Sequence, residues 1–163
     1  MLPKIKTSLK EINTPKIYPE FEFEFVMNFD GCSKGNPGIA GAGAVIYNNE
    51  IEMLSNIFFV GEKATNNHAE YAGLILGLQM AYELNIKSLL VKGDSLLVIN
   101  HMNGTYKCSS PNLIELYLKA KEYESKFDNI YYQHVLRNFI KRADELSNDA
   151  IKDYIIISDD DIK

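Results

Sequence analysis

The residue periodicity of this chain first changes near Asn66, and that change limits the folds open to it. Ahead of it the pattern has period two. Phe21, Phe23 and Phe25 alternate with Glu22 and Glu24 and run into Val26, Asn28 and Asp30, which predicts a first strand ending at Asp30. Gly31 to Gly38 is rich in turn formers and predicts a loop. Ala42 to Tyr47 and Glu52 to Val60 read as two more strands, with Asn48-Asn49 as the hairpin turn between them. Gly41 and Gly43 suit a bulged strand.

Past Asn66 the period becomes helical, with strands interspersed. Asn66 to Leu84 predicts a helix whose stripe of Ala69, Ala72, Gly73, Leu76 and Met80 would lie close on a sheet. Ser88 to Lys92 reads as a short strand, and Asp94 opens a second helix over Ser95 to Met102. Ser110 to Lys126 predicts a third helix, with Pro111 in its first turn, where a missing N–H costs little. Ile130 to Val135 is a fifth strand and Ile140 to Tyr154 a last helix. A meander followed by α/β alternation predicts an α/β fold, a five-stranded mixed sheet flanked by helices.

A chain of 163 residues suits one domain, which we expect over residues 21–157. Residues 1–20, punctuated by four lysines and three prolines, read as a poorly ordered tail without the apolar stretch of a secretory leader. Residues 158–163 read as an acidic tail. No run approaches the roughly 20 apolar residues needed to span a membrane. Cys32 and Cys108 fit no zinc-ligand spacing and suit an intracellular, reducing compartment, without separating cytoplasm from nucleus. The net charge of −5 argues against a protein that holds nucleic acid by charge alone.

Four acids stand out by position: Asp30 at a strand end, Glu70 early in a helix, Asp94 where a strand becomes a helix, and Asp144 in the last helix. Each has an ordinary explanation. Asp94 is a good N-cap, Glu70 favours the positive end of its helix, and Asp144 could be a solvated charge. Asp30 is harder to dismiss, because a carboxylate closing an apolar strand costs free energy unless paired or metal-bound.

The company of these acids is more informative. Asp30-Gly31-Cys32-Ser33-Lys34-Gly35-Asn36-Pro37-Gly38 resembles the opening motif of type 1 ribonuclease H. Thr65-Asn66-Asn67-His68-Ala69-Glu70 resembles its second motif, Gly93-Asp94-Ser95 its third, and His134 with Ala143-Asp144-Glu145-Leu146 its fourth. The motifs stand in family order from about Phe23 to Tyr154. The resemblance implies a ribonuclease H-like fold and an endonuclease that hydrolyses the RNA strand of RNA/DNA hybrids. It implies two Mg²⁺ ions, with Mn²⁺ as the alternative, because hard cations want oxygen ligands and a cation pair can activate water and stabilise the leaving oxygen. Asp30 would bridge both ions, Glu70 and Asp94 would complete one site, and Asp144 the other. His134 would assist water activation or product release. The resemblance also implies that Ser33 and Asn36 lie near the RNA strand, Asn66 and Asn67 in the minor groove, and Thr65 at a DNA phosphate. His68 and His101 read as ordinary helix residues.

The chain departs from the family at three places. Ile140 stands where an asparagine is usual, Val135 to Phe139 replaces a glycine-rich loop, and Leu96 replaces a polar residue. Between Asn103 and Asn112 there is no basic handle, so the chain resembles the compact subgroup, expected to be monomeric. Lys34, Lys63, Lys92, Lys107, Arg137, Lys141 and Arg142 are the candidate cations for a basic rim along the hybrid. Two other readings stay open: a non-catalytic nucleic-acid-binding scaffold of the same fold, and a domain derived from a reverse transcriptase.

Overall fold

A computed structural model describes residues 23–161, so the expected tail at 1–20 lies outside the described residues. The strands are β1 (Phe25–Lys34), β2 (Gly38–Asn48), β3 (Ile51–Ala64), β4 (Ser88–Gly93) and β5 (Asn129–His134). The helices are α1 (Asn66–Glu83), α2 (Leu96–Asn103), α3 (Ile114–Glu124) and α4 (Lys141–Asp161), with a 3₁₀ turn at Arg137–Phe139. The sheet order is β3-β2-β1-β4-β5, antiparallel through the meander and parallel from β1 to β4 to β5. The predicted element order and mixed sheet are therefore present. No helix among the described residues is long and apolar enough to cross a membrane.

Several boundaries differ from expectation. Strand β1 does not end at Asp30 but runs to Lys34, because β2 pairs with it residue for residue as far as Lys34↔Ile39. The expected loop shrinks to Gly35-Asn36-Pro37. Hairpin pairing closes at Asn48↔Ile51, so the turn residues are Asn49 and Glu50, both at positive φ as a type I′ turn requires. The second helix is capped by Ser95, whose Oγ accepts from the Val98 amide 3.2 Å away, and not by Asp94. Helix α3 starts at Ile114, beyond Pro111, and α4 runs past Tyr154 to Asp161, so the expected tail at 158–163 begins as helix.

Two layers cover the sheet. Met27, Phe29, Ile46, Leu89 and Val91 point to the α1 face and meet Tyr71, Leu74 and Leu78 in the main core. Helix α1 is buried over far more than the expected stripe, from Ala69 through Ile75, because α3 closes its outer side. On the other face Val45 packs on Ile140, Ala143 and Leu146 at the start of α4. The two faces alternate along β1, so Asn28 and Asp30 turn away from α1 while their neighbours enter the core. The expected bulge does not fall in the glycine strand: between Ala40↔Gly61 and Gly41↔Phe59 the extra residue is Val60, on β3. Gly43 has another reason: a Cβ there would collide with Leu146, so glycine lets α4 lie against the strand.

Candidate active site

The β1–β4 register includes Asn28↔Lys92, one residue before β4 ends at Gly93, and the chains then part around a cleft. Asp30 enters it from β1 and Asp94 from the segment after β4, the usual ligand position at the carboxyl ends of parallel strands. Glu70 arrives from the first turns of α1, which sits very close to β1 at this point. A Cβ at Gly31 would overlap the Ala69 backbone, and one at Gly73 the Asp30 carbonyl. These glycines bring the Glu70 backbone to the strand carrying Asp30.

One carboxylate oxygen from each of Asp30, Glu70 and Asp94 lies within 4.8 Å of the others. Asp30 is 3% and Glu70 4% exposed. Burial, and then the neighbouring Asp94 charge, pushes the Asp30 carboxyl up to about 7. Burial, and then the charges of Asp30 and Asp94, holds Glu70 well above the ordinary carboxylate range. Glu70 Oε2 and Asp94 Oδ1 are buried with no hydrogen-bond partner among the described residues. Buried polar oxygens without a partner are costly, and hard anionic oxygens converging at this spacing are the donor set that a divalent cation requires. The residues fit a metal.

Asp144 stands in the first turn of α4, close enough to Asp30 to raise it further, but outside the three-acid group. Its Oδ1 accepts from the Arg137 guanidinium at 2.9 Å. Ser147 Oγ donates to the Asp144 carbonyl at 2.8 Å and lies 3.4 Å from Asp30 Oδ2. Asn148 Nδ2 donates to the same carbonyl at 2.9 Å, while its Oδ1 accepts from Lys34 Nζ at 2.7 Å. Ser147 and Asn148 escaped the sequence reading, although their offsets of three and four from Asp144 are those of helix neighbours. Arg137 was read only as a rim cation.

His134 ends β5 opposite Gly93, with its Nε2 3.2 Å from the Asp94 carbonyl oxygen. The ring is exposed beside the acids. Its loop is the 3₁₀ turn, with Leu136 and Phe139 exposed and Arg137 reaching back to Asp144. Ile140, at the usual asparagine position, is 1% exposed and fills the core under α4. Leu96 is exposed at the start of α2.

The remaining candidates form one ridge between the β1–β2 turn and α1. Ser33 Oγ donates to the Ala64 carbonyl at 2.7 Å, and Asn36 Oδ1 accepts from the Asn66 amide at 2.8 Å. Thr65 caps α1, its Oγ1 accepting from the His68 amide at 3.1 Å, and Asn67 is exposed. The expected basic rim is thinner than its sequence count. Lys92 is buried, Lys34 and Arg137 are engaged as described, and Arg142 pairs with Glu52 and Glu145. Lys63, Lys107 and Lys141 are exposed. His68 is half-buried, and His101 is buried with Nδ1 2.6 Å from the Tyr71 hydroxyl, in line with ordinary helix roles.

A family model described as reverse transcriptase-like matches residues 28–150. A bifunctional protein of Mycobacterium tuberculosis is 42% identical over 127 residues, which are 77% of this chain and 35% of that protein. The solved N-terminal RNase H domain of a Mycobacterium tuberculosis protein superposes with a TM-score of 0.77 at 39% identity, covering 82% of this chain and 97% of that one. A ribonuclease HI of Halobacterium salinarum is 35% identical over 125 residues, 77% of this chain and 63% of its own. LC11-RNase H1, solved in complex with RNA/DNA hybrid, superposes with a TM-score of 0.75 at 31% identity, over 80% of this chain and 99% of its own. The chain thus spans about a third of the length of the mycobacterial protein it matches, and nearly all of each solved domain.

Proposed function

The chain belongs to the type 1 ribonuclease H family, and on that premise we propose that it is a metal-dependent endonuclease hydrolysing the RNA strand of RNA/DNA hybrids. The carrying observation is the convergence of Asp30, Glu70 and Asp94 with two buried carboxylate oxygens that find no partner among the described residues. All four acids of the family pattern are present, which supports an enzyme over a binding scaffold.

In this reading Asp30, Glu70 and Asp94 would hold one divalent cation, and Asp30 with Asp144 would hold a second. Mg²⁺ is the proposed ion, with Mn²⁺ as the alternative. Bound cations would activate a water and neutralise charge at phosphorus and at the leaving oxygen. The protein's own residues do the rest. The acids are clustered and desolvated before any ligand arrives, so little reorganisation is needed. Ser147 bridges the Asp144 backbone and the Asp30 carboxylate, keeping α4 and β1 in one arrangement. When His134 Nε2 donates to the Asp94 carbonyl, Nδ1 becomes the ring's proton acceptor, suited to proton transfer beside the acids.

Substrate contacts are proposed along the ridge. Ser33 and Asn36 would meet the RNA strand, Asn66 and Asn67 the minor groove, and Thr65 with the α1 N-terminus a DNA phosphate, where helix amides favour negative charge. The enzyme is proposed to act as a monomer, with residues 21–157 as its working domain. Two unpaired cysteines suit an intracellular setting. The test is incubation with labelled RNA/DNA hybrid, RNA/RNA, DNA/DNA and single strands, with Mg²⁺ and with chelator. Metal-dependent cleavage of RNA in the hybrid alone is expected. Cleavage of DNA, or undiminished cleavage in chelator, overturns the reading.

A further inference from the structure

Helix α4 packs on β1, β2 and β3, and on the same face of the sheet a cavity of about 590 Å³ lies over the first half of β1. Its wall mixes apolar and polar groups, with Val26, Tyr47 and Phe139 beside Asn28, Glu50 and Lys92. Asn28 Oδ1 is buried and has no hydrogen-bond partner among the described residues. Phe139 is 68% exposed, on the 3₁₀ turn. The cavity therefore calls for a hydrogen-bond donor, since buried acceptors are rarely left unpaired, and for apolar surface to cover the phenyl ring.

The course of the chain points to an occupant. Phe23, the first described residue, stands in the cavity wall and meets Tyr131 edge-on, ring centroids 5.3 Å apart. The backbone bends at Glu24, whose carbonyl accepts from the Asn49 amide at 2.8 Å. Residues two apart on a straight strand share a face, but across this bend Phe25 packs against the main core while Phe23 lines the cavity. The bend thus leaves the chain at Phe23 on the cavity side of β1. The sequence ahead of it is Ile17-Tyr18-Pro19-Glu20-Phe21-Glu22, which mixes apolar and charged residues as the wall does. Six residues reach at most about 21 Å, and a cavity of this volume is roughly 10 Å across. Charges match as well: Lys92 in the wall is opposite in sign to Glu20 and Glu22, and Glu50 to Lys16.

We propose that residues 17–22 fold back across this cavity as a strap, with Tyr18 and Phe21 against Phe139 and a donor of the segment on Asn28 Oδ1. An extended segment offers backbone N–H groups for that bond, and Pro19 suits a segment outside the sheet ladder. The expected poorly ordered tail would then end near Lys16 and not at Glu20. Phe139 shares its turn with Arg137, which reaches Asp144, so the strap would steady the turn beside the acidic centre.

Thermal unfolding and limited trypsin digestion of the full chain, neither of which needs hybrid cleavage, test the strap. Phe21→Ser should lower Tm by about 3–10 °C, the range for exposing one phenyl ring in a chain of this length, whereas a change in an undocked tail would leave Tm as it was. Phe139→Ser should lower Tm similarly, and the two changes together by clearly less than their sum, as for residues in contact. In the wild type, trypsin should cut after Lys16 about tenfold more slowly than after Lys4 or Lys6, and in Phe21→Ser at a similar rate. Exchange of the Ile140 amide, bonded to the Arg137 carbonyl at 3.1 Å, should quicken in Phe21→Ser. An unchanged Tm in Phe21→Ser, additive losses, or equal cutting after Lys16 and Lys4 in the wild type overturns the strap and leaves the cavity to another occupant. Wild-type exchange at Ile140 overturns its hold on the turn. A Tm loss that varies with protein concentration means that the segment comes from a second copy, and overturns folding back within one chain.

Discussion

Asp30→Asn should make the metal-free protein more stable while removing its activity. Asp30 sits 3% exposed beside Glu70 and Asp94, and its carboxyl is pushed from 3.8 to about 7 by burial first and the Asp94 charge second. A carboxyl raised in the folded state keeps its proton where the unfolded chain has already lost it. Stability is therefore full below the unfolded value and falls as pH rises through the folded one. For Asp30 the loss runs from about pH 4 to about pH 7, and a shift of that size corresponds to about 4 kcal/mol at most. The repulsion is shared with Glu70 and Asp94, so an uncharged isostere should recover only part, about 1–2 kcal/mol above pH 7. For a domain of this length that is a rise of about 2–8 °C in Tm. Urea unfolding in chelator at about pH 5 and about pH 8 would measure it. The wild type should lose stability between the two pH values, and Asp30→Asn should lose less. A divalent cation should restore the wild type far more than the variant, because a neutral amide is a poor ligand. An Asp30→Asn protein no more stable than wild type at about pH 8 in chelator would refute the electrostatic reasoning. Wild-type turnover by this variant would sink its assignment as a metal ligand.

Glu70→Gln and Asp94→Asn should likewise abolish hybrid cleavage while circular dichroism stays native, and residual rates near wild type would remove either residue from the ligand set. His134→Ala should slow turnover toward the lower end of the about 10²–10⁴-fold range of a proton-transfer residue, and a change in Tm without a change in rate would make it structural. Arg137→Ala frees the Asp144 carboxylate from an exposed ion pair, so the cation concentration giving half-maximal activity should fall about two- to fivefold; an unchanged or higher value would mean that Arg137 does not compete with the ion. Binding of hybrid to a catalytically dead variant should be weak and metal-dependent, with log affinity falling against log salt with a slope of about −2 to −4 for two to four phosphate contacts. Engagement of Lys34, Arg137 and Arg142 within the chain supports a small number, and a slope near −8 would reveal a large basic surface.

Much of this protein was legible in one dimension, because the signals are local. Alternation over Phe23–Asp30 and helical spacing over Asn66–Leu84 follow from how successive side chains project, so element type and order could be read without tertiary contacts. The four acids could be chosen because each lies within a short motif of neighbours. What had to wait was everything set by pairing and approach. Whether β1 stops at Asp30 or continues to Lys34 depends on a partner strand supplying hydrogen bonds, so Asp30 moved from a strand end to mid-strand. Asp94 looked like a cap until Ser95 took that role, leaving the Asp94 carboxylate oxygen buried and unpartnered in the cleft. Gly31 and Gly73 read as turn and stripe residues, yet their joint effect is to press α1 onto β1. Arg137 against Asp144, seven residues apart across a turn, and Asn28 beside Lys92, on strands joined only in the sheet, carry no local signature. Distances between charges, and the water excluded around them, arise only when separate elements pack, so the raised acids belong to the tertiary structure alone.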